Sequence, residues 1–444
     1  MSRSWKVATS LGEAIDALGV RVIEPGNPWY VAPDVHLGGD HKLAPLARLR
    51  AQILRSIDTE RFFLSGHIGS GKSTELRRML ADPALQQRFY VIAFDIEPAN
   101  RPSLTSYQLL FLIAAELYRR ASEDDALTTF TKKERWQSLL SRMDKALYGP
   151  KGISVKGGKL GIQFDLFFLK LQQDLSVDQG RRTEFRKLAE TEGSILVDLI
   201  NHLADDIENA LATAGLPDRL LIAIDDLDKL LREEQLHEIF DTNLGAFLAP
   251  RVPVLATVPP SITFGGPGSA LGQKVTHLRP VQVLRKSNGQ DPRGNGQDTK
   301  GRVQAPMSAA DPHGVDMMRR ILAARVDPAL FDGEVVNEAA VYSGGVIRDF
   351  FYLLRQAAIV AADLYGESKV GSVAFSDVLV EETNNLARML YATDREALRE
   401  VRKTHSLTGP GQLDYMRQSI VLEYNHDGIW WEVTPRLWEW LAKG

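Results

Sequence analysis

The chain has 444 residues, a formal net charge of −4 and no cysteine. That length calls for two or three domains, the near-balanced charge excludes a global attraction to nucleic acid or anionic membranes, and the missing thiols exclude a disulfide framework and thiolate metal sites. The most apolar window, Leu109 to Ala115, falls far short of the ~20 residues of a membrane span, and Met1 to Lys6 lacks the apolar run of a signal peptide, so a cytoplasmic protein without membrane contact is expected.

Residues 1–58 read as a lead-in: a helix from Leu11 to Leu18, a Pro- and Gly-rich crossing from Pro25 to Asp40, and an amphipathic helix with Leu43, Leu46, Leu49, Ile53 and Leu54 near one face. A short buried strand, Arg61 to Leu64, then runs into Gly66-His67-Ile68-Gly69-Ser70-Gly71-Lys72-Ser73, which fits the phosphate-loop pattern G-x-x-x-x-G-K-S/T. A triphosphate is densely negative, so a site for it needs inward-pointing backbone N–H groups, a cation and a hydroxyl for its metal. Gly66, Gly69 and Gly71 permit the tight turns that wrap a loop around phosphate oxygens. Lys72 is placed to reach the β- and γ-phosphates and Ser73 to ligate Mg²⁺. The helix that starts near Lys72, with Thr74 in its first turn, aims its positive end at the phosphates. Strand, loop and helix come in the order the motif demands, and ATP with Mg²⁺ is the expected ligand.

Phe89 to Ile96 reads as a second strand and Ser106 to Arg120 as a helix, the alternation of a βαβ sheet. The strand that carries the partner carboxylates arrives late, after an insertion at about 121–190. Within the insertion Ile153 to Phe164 reads as a hairpin about Gly157-Gly158, continuing into the apolar run Asp165 to Leu171. That hairpin either packs on its own domain or contacts an oligomer or protein partner. Arg181, Arg182, Arg186 and Lys187 read as a solvated helix face, with nucleic acid or a neighbour's phosphate as the alternative.

Leu220 to Ile224 is an apolar run that ends in Asp225-Asp226-Leu227-Asp228, as a parallel strand buried on both faces does when its tip meets a ligand. Asp225 is placed to hold the Mg²⁺ shell with Ser73, and Asp226 to orient and polarise the attacking water as general base. Asp228 reads as the cap of the next helix. Arg251 to Pro260 is a further strand in which Thr257 either senses the γ-phosphate or is a β-branched strand end. Val281 to Leu284 is expected to add another strand, with either Lys274 or Arg279 before it as an arginine-finger-type cation in an oligomer. A polar loop or linker at 286–312, rich in Gly, Asn, Gln, Asp and Pro, closes the 59–285 core.

Residues 313–395 read as a helical lid. Gly344-Gly345 ends one helix and lets the next begin near the nucleotide, with Arg348 in its first turns, while Phe351, Leu354 and Ala358 face a bundle core. Residues 396–444 contain Leu413 to Tyr424, a turn from Asn425 to Gly428, a strand from Ile429, and a final helix with Leu437, Trp438 and Leu441. That order is similar to a winged-helix module, without the basic stripe of a DNA reader.

Together, the loop ending in Lys72-Ser73-Thr74, the run Ile224-Asp225-Asp226-Leu227-Asp228, the strand tipped by Thr257, and the lid bearing Ser343-Gly344-Gly345 and Arg348 resemble the AAA+ and STAND P-loop ATPases. The likeness is strongest to the branch shared by origin-recognition ATPases and bacterial signalling or defence ATPases, and it covers roughly Pro33 to Tyr365. It implies an α/β P-loop NTPase with an ASCE-type parallel sheet between helices, a helical lid, nucleotide-driven conformational change or oligomerisation, and γ-phosphate sensing by Arg348. The chain departs from the family in carrying Asp226 where many AAA+ members have Glu, which is more like STAND proteins and points to slow turnover. The expected function is a regulatory ATPase that uses Mg-ATP to switch conformation or assembly, as a homo-oligomer or with a protein partner at the hairpin or the C-terminal module. Two alternatives stand beside it: a DNA-binding regulator or loader acting through that module, and a scaffold whose nucleotide is structural.

Overall fold

The computed structural model describes residues 5–33, 44–96, 104–124, 179–264, 274–286 and 305–443, less Asp58, Leu231, His426 and Asp427, together with positions 101, 127, 141, 145 and 271. The inserted hairpin at 153–171, most of the 286–312 linker and the tip of the C-terminal turn lie outside them. Among the described residues no helix is long and apolar enough to cross a membrane.

Two lead-in helices, α1 (Leu11–Ala17) and α2 (Pro45–Leu54), precede β1 (Arg61–Ser65), the glycine loop and α3 (Lys72–Leu80). The chain continues through β2 (Phe89–Asp95), α4 (Ser106–Glu123), α5 (Gln179–Thr213), β3 (Arg219–Asp225), β4 (Val254–Val258) and β5 (Val275–His277). The five strands form one parallel sheet in the order β2-β3-β4-β1-β5. Side chains alternate across a strand, and the alternation here sorts two cores. Phe63, Ile222, Ile224, Val254 and Ala256 face the layer that includes α4 and α5. Phe62, Leu64, Leu221, Ala223 and Leu255 face α2 and α3. Both faces are therefore covered, and β1, β3 and β4 are nearly continuous apolar runs, as a parallel sheet requires. Because β4 intervenes between the glycine-loop strand and the carboxylate strand, the architecture is an α/β P-loop NTPase sheet of the ASCE type.

The expected strand at Val281 to Leu284 is a correction. The sheet takes Val275–His277 instead, and Leu284 makes only an isolated bridge to Ala310. The reason is competition: the Leu278 amide goes back to Ser65 O at 2.7 Å, while the Val281 amide goes to Gly345 O at 3.0 Å in the lid. Val281 and Val283 are buried against lid residues, which accounts for their strand-like composition.

The lid comprises α6 (Pro312–Ala323), α7 (Gly333–Tyr342), α8 (Ile347–Ile359) and α9 (Ser372–Arg388). Beyond it come α10 (Ala392–Thr404), α11 (Leu413–Arg417), an antiparallel hairpin of β6 (Val421–Asn425) and β7 (Ile429–Val433), and α12 (Trp438–Ala442). Lid, C-terminal unit and α1 share one apolar core: Leu11, Ala14 and Leu18 meet Phe350, Leu354 and Phe375, and the core continues to Leu422, Tyr424 and Trp430. The tryptophans of the hairpin are core residues in part, with Trp430 stacked on Tyr424 at 4.7 Å.

At the end of β1 opposite the glycine loop, Arg61 is buried and acts as a many-pronged cap. Its guanidinium donates to Val252 O at 2.7 Å, to Leu248 O at 3.1 Å and to Pro250 O, closing the turn that enters β4. Burial alone holds its pKa down to about 10. Replacing Arg61 by Leu leaves several buried carbonyls without donors, so a destabilisation of about 2–4 kcal/mol is expected. Denaturant unfolding checks it; a variant as stable as wild type would show that those carbonyls find water instead.

Candidate phosphate-binding site

The glycine loop leaves the C-terminal edge of the sheet and enters α3, so the helix end and the strand tips converge on one point. Gly69 and Gly71 lie at φ of 90° and 101°, a region L side chains rarely adopt. A Cβ on Gly66 would stand 2.2 Å from Leu278 O, and one on Gly69 would stand 2.6 Å from Arg348 Cβ. The loop is thus gripped from outside by the segment after β5 and by the first turn of α8. The Arg348 amide donates to Gly69 O at 3.2 Å.

Inside the loop, Lys72 is 4 % exposed. Its ammonium donates to Gly66 O at 2.6 Å and His67 O at 2.9 Å, and it pairs with Asp228 Oδ2 at 2.7 Å. The Asp228 side chain therefore faces the lysine and is not a helix cap, which revises the expectation drawn from sequence. The Ser70 hydroxyl is buried without a partner, 3.0 Å from where a Gly66 Cβ would be. The orphaned Ser70 hydroxyl, on a glycine loop that opens into the N-terminus of α3, is a donor free for an anionic ligand.

Because β4 lies between β1 and β3, Thr257 sits between the loop and the acids. Its hydroxyl lies 2.9 Å from Asp225 Oδ1 and 3.3 Å from Asp228 Oδ1. It orients two carboxylates in this structure. Ser73 also donates to Asp225, so the two expected metal ligands meet. Burial, with Asp228's charge adding, pushes the Asp225 carboxyl up, and hydrogen bonds from Ser73, the Asp226 amide and Thr257 pull it back. A cation beside Asp225 would relieve that penalty, so the donor set of one hydroxyl and one strained carboxylate fits a hard divalent ion.

Asp226 has the left-handed φ of 72° and directs its carboxylate to Arg101 and Lys229, which each pair with one of its oxygens. Nothing in the sequence marks Arg101, which is one arginine in a connecting segment. Thr74 accepts from the Ile23 amide at 3.2 Å and so faces the lead-in. Ile68 is half-buried at the loop's crest. Arg348 lies against Gly69, its guanidinium 3.4 Å from Asp349 Oδ1. Of the two finger-type cations, Lys274 is exposed, while Arg279 pairs with Glu423 at 2.6 Å.

His67 makes the least anticipated connection. The Glu423 amide of β6 donates to its Nε2 at 3.0 Å, and its Nδ1 lies 3.3 Å from Met416 O of α11. The donated amide fixes the lone pair on Nε2 and the proton on Nδ1, so the ring bridges loop and C-terminal unit only while neutral.

No family model matches the sequence, nor does any curated protein. Solved structures do match. The ORC1 protein of Aeropyrum pernix in complex with DNA is 15 % identical, with 97 % of this chain and 96 % of that one covered and a TM-score of 0.39. CDC6P from Pyrobaculum aerophilum is 12 % identical, with 95 % and 98 % covered and a TM-score of 0.39. The functional reading below rests on the site itself.

Burial and the nearby Lys72 push His67 down to about 3. A native histidine held below its unfolded value near 6.5 stabilises fully above that value and loses the contribution as pH falls towards 3. Glu432, raised to about 8 by burial, works in the opposite sense, so the diagnostic quantity is a difference between proteins. Between about pH 7 and about pH 5, wild type should lose about 2 kcal/mol relative to His67→Asn. Unfolding curves at the two pH values measure it, and parallel pH dependence in the two proteins would rule out the buried neutral bridge.

Proposed function

We propose that this chain is an AAA+/STAND-like regulatory ATPase that uses Mg-ATP to switch its conformation. The observation that carries the reading is the double grip on the glycine loop: the lid touches it at Gly69 through Arg348, and the C-terminal unit touches it at His67 through Met416 and Glu423. Whatever enters the loop must disturb both. Further ties run from the C-terminal unit to the lid, with the Tyr424 hydroxyl donating to Gly344 O at 2.7 Å and Arg436 pairing with Asp349 at 2.6 Å. Lid and C-terminal unit therefore move together when the loop changes shape.

In this reading the loop amides and Lys72 hold the phosphates, with the Ser70 hydroxyl and the N-terminus of α3 adding donors. Ser73 and Asp225 would hold Mg²⁺, which would screen the phosphate charges. Asp226 orients and polarises the attacking water, which requires one of its carboxylate oxygens to leave Arg101 or Lys229. Arg348 reports the γ-phosphate to the lid from its place on Gly69, and Thr257 keeps Asp225 aligned. A base engaged by two cations fits slow turnover, and slow turnover fits a switch.

Two variants and one exchange measurement separate these roles. Lys72→Ala should lower ATP affinity by about 100-fold or more, since a buried charge-assisted contact is lost. Asp226→Asn should bind normally and lose turnover by about 100-fold; normal hydrolysis by that variant would show the base is misassigned. Hydrogen exchange at Val421–Asn425, followed with and without Mg-ATP, tests the switch. Exchange there should rise with nucleotide in wild type and stay unchanged in Lys72→Ala. Bound nucleotide with no change in the β6 amides would favour the scaffold in which it is only structural.

A further inference from the structure

The Lys72 ammonium has three N–H bonds, and three oxygens lie on it: Gly66 O at 2.6 Å, His67 O at 2.9 Å and Asp228 Oδ2 at 2.7 Å. A lysine satisfied in this way has no donor left for a phosphate. The two side chains are 3 % and 6 % exposed, so this is not the solvent-screened kind of pair that contributes little. Thr257 anchors the arrangement, because its hydroxyl reaches both Asp228 and Asp225. Asp228 is thus fixed in place to face the lysine from across the sheet.

We infer that Asp228 is the internal anion that a nucleotide must displace from Lys72, and that through this exchange it sets nucleotide affinity and couples it to Mg²⁺. The inference rests on reading the site as a nucleotide site. When a phosphate takes the ammonium, Asp228 is left buried beside Asp225 without its counter-charge, and a buried uncompensated charge is strongly unfavourable. One carboxylate oxygen from each of Asp225, Asp226 and Asp228 lies within 4.8 Å of the other two, so a divalent ion held by Ser73 and Asp225 would neutralise the acid the lysine has left. Phosphate alone competes with Asp228 for Lys72. Phosphate with its metal leaves every charge paired. Asp228 therefore acts as a positioning residue that holds the lysine in the empty site and penalises metal-free nucleotide.

The test is equilibrium binding of ATP carrying a fluorescent ribose label to the full chain, wild type and Asp228→Asn, in EDTA and in Mg²⁺. Wild type should bind at least about tenfold more weakly in EDTA. Asp228→Asn should gain about tenfold in EDTA and little in Mg²⁺, so that the two conditions converge. A purely structural role predicts loss of affinity in both conditions, and that result, or no gain in EDTA, overturns the inference while leaving the nucleotide site intact. Wild type binding equally with and without Mg²⁺ overturns it too, and that arm does not depend on the variant folding. Wild type that binds the labelled ATP under neither condition removes the nucleotide reading and this inference with it.

Discussion

A buried ammonium has to be neutralised, and the C-terminal edge of the sheet is organised around that requirement. Lys72 is fixed by the helix that follows the glycine loop, and its partners come from the loop and from the segment after β3. Bringing Asp228 to the lysine requires β3 and β1 to be two strands apart with β4 between them, because Thr257 at the end of β4 is the group that holds Asp228 and Asp225 in register. The two apolar faces of the sheet then do the rest. Phe63 and Ile224 on one face, and Leu64 and Ala223 on the other, lock the strands at the heights that place loop, threonine and acids on one level.

The loop is also where three parts of the chain meet. Gly66 is backed by Leu278 O, Gly69 by Arg348 and His67 by the C-terminal hairpin. The contacts at Gly66 and His67 run through a backbone carbonyl and a buried ring, and Gly69 O also accepts from the Arg348 amide, so small movements of the loop reach all three parts of the chain. Packed interfaces of this kind favour discrete alternative arrangements over gradual deformation. The lid and the C-terminal unit share a single core that also includes α1, which couples the lead-in to the same event. Tyr30 strengthens that link by donating to Glu75 of α3 at 2.8 Å while Arg78 lies 3.5 Å over its ring.

What could be read from the sequence was what is local in the chain. The loop, its helix and the apolar run ending in Asp225 announce themselves by spacing and by strand composition, and the structure has strand, loop and helix where those signals put them. Thr257 is legible as a strand-end residue beside the expected γ-phosphate, but its partners Asp225 and Asp228 follow from strand order, which no local pattern encodes. Asp228 reads as a cap for the same reason: an acid one turn beyond a strand has the look of one, and its lysine partner is distant in sequence. Arg101, an arginine in a connecting segment, carries no signal, and nothing local marks His67, a variable position of the loop pattern, as a bridge to the C-terminal unit. The strand expected at Val281 to Leu284 failed because buried β-branched residues pack as readily against a helical lid as within a sheet.

Asp226 shows how such long-range partners bear on rate. Its left-handed backbone is uncommon for a residue with a Cβ and costs about 1–3 kcal/mol when not compensated. The compensation is visible: its amide donates to Asp225 Oδ1 at 2.8 Å, and its carboxylate is shared between Arg101 and Lys229. The same contacts that make the strained turn affordable therefore also hold the proposed base away from water. Arg101 is in turn tied to the sheet edge and to the segment after β3, with its guanidinium on Ile96 O at 3.0 Å and its carbonyl accepting from Gln235 at 2.9 Å. Freeing the oxygen held by Arg101 therefore also disturbs the contacts at Ile96 and Gln235, so in the proposed mechanism that route to hydrolysis waits on a conformational step. Under that proposed mechanism the triphosphate state would last long enough for lid and hairpin to be read by something else, which is the property a switch needs and a motor does not.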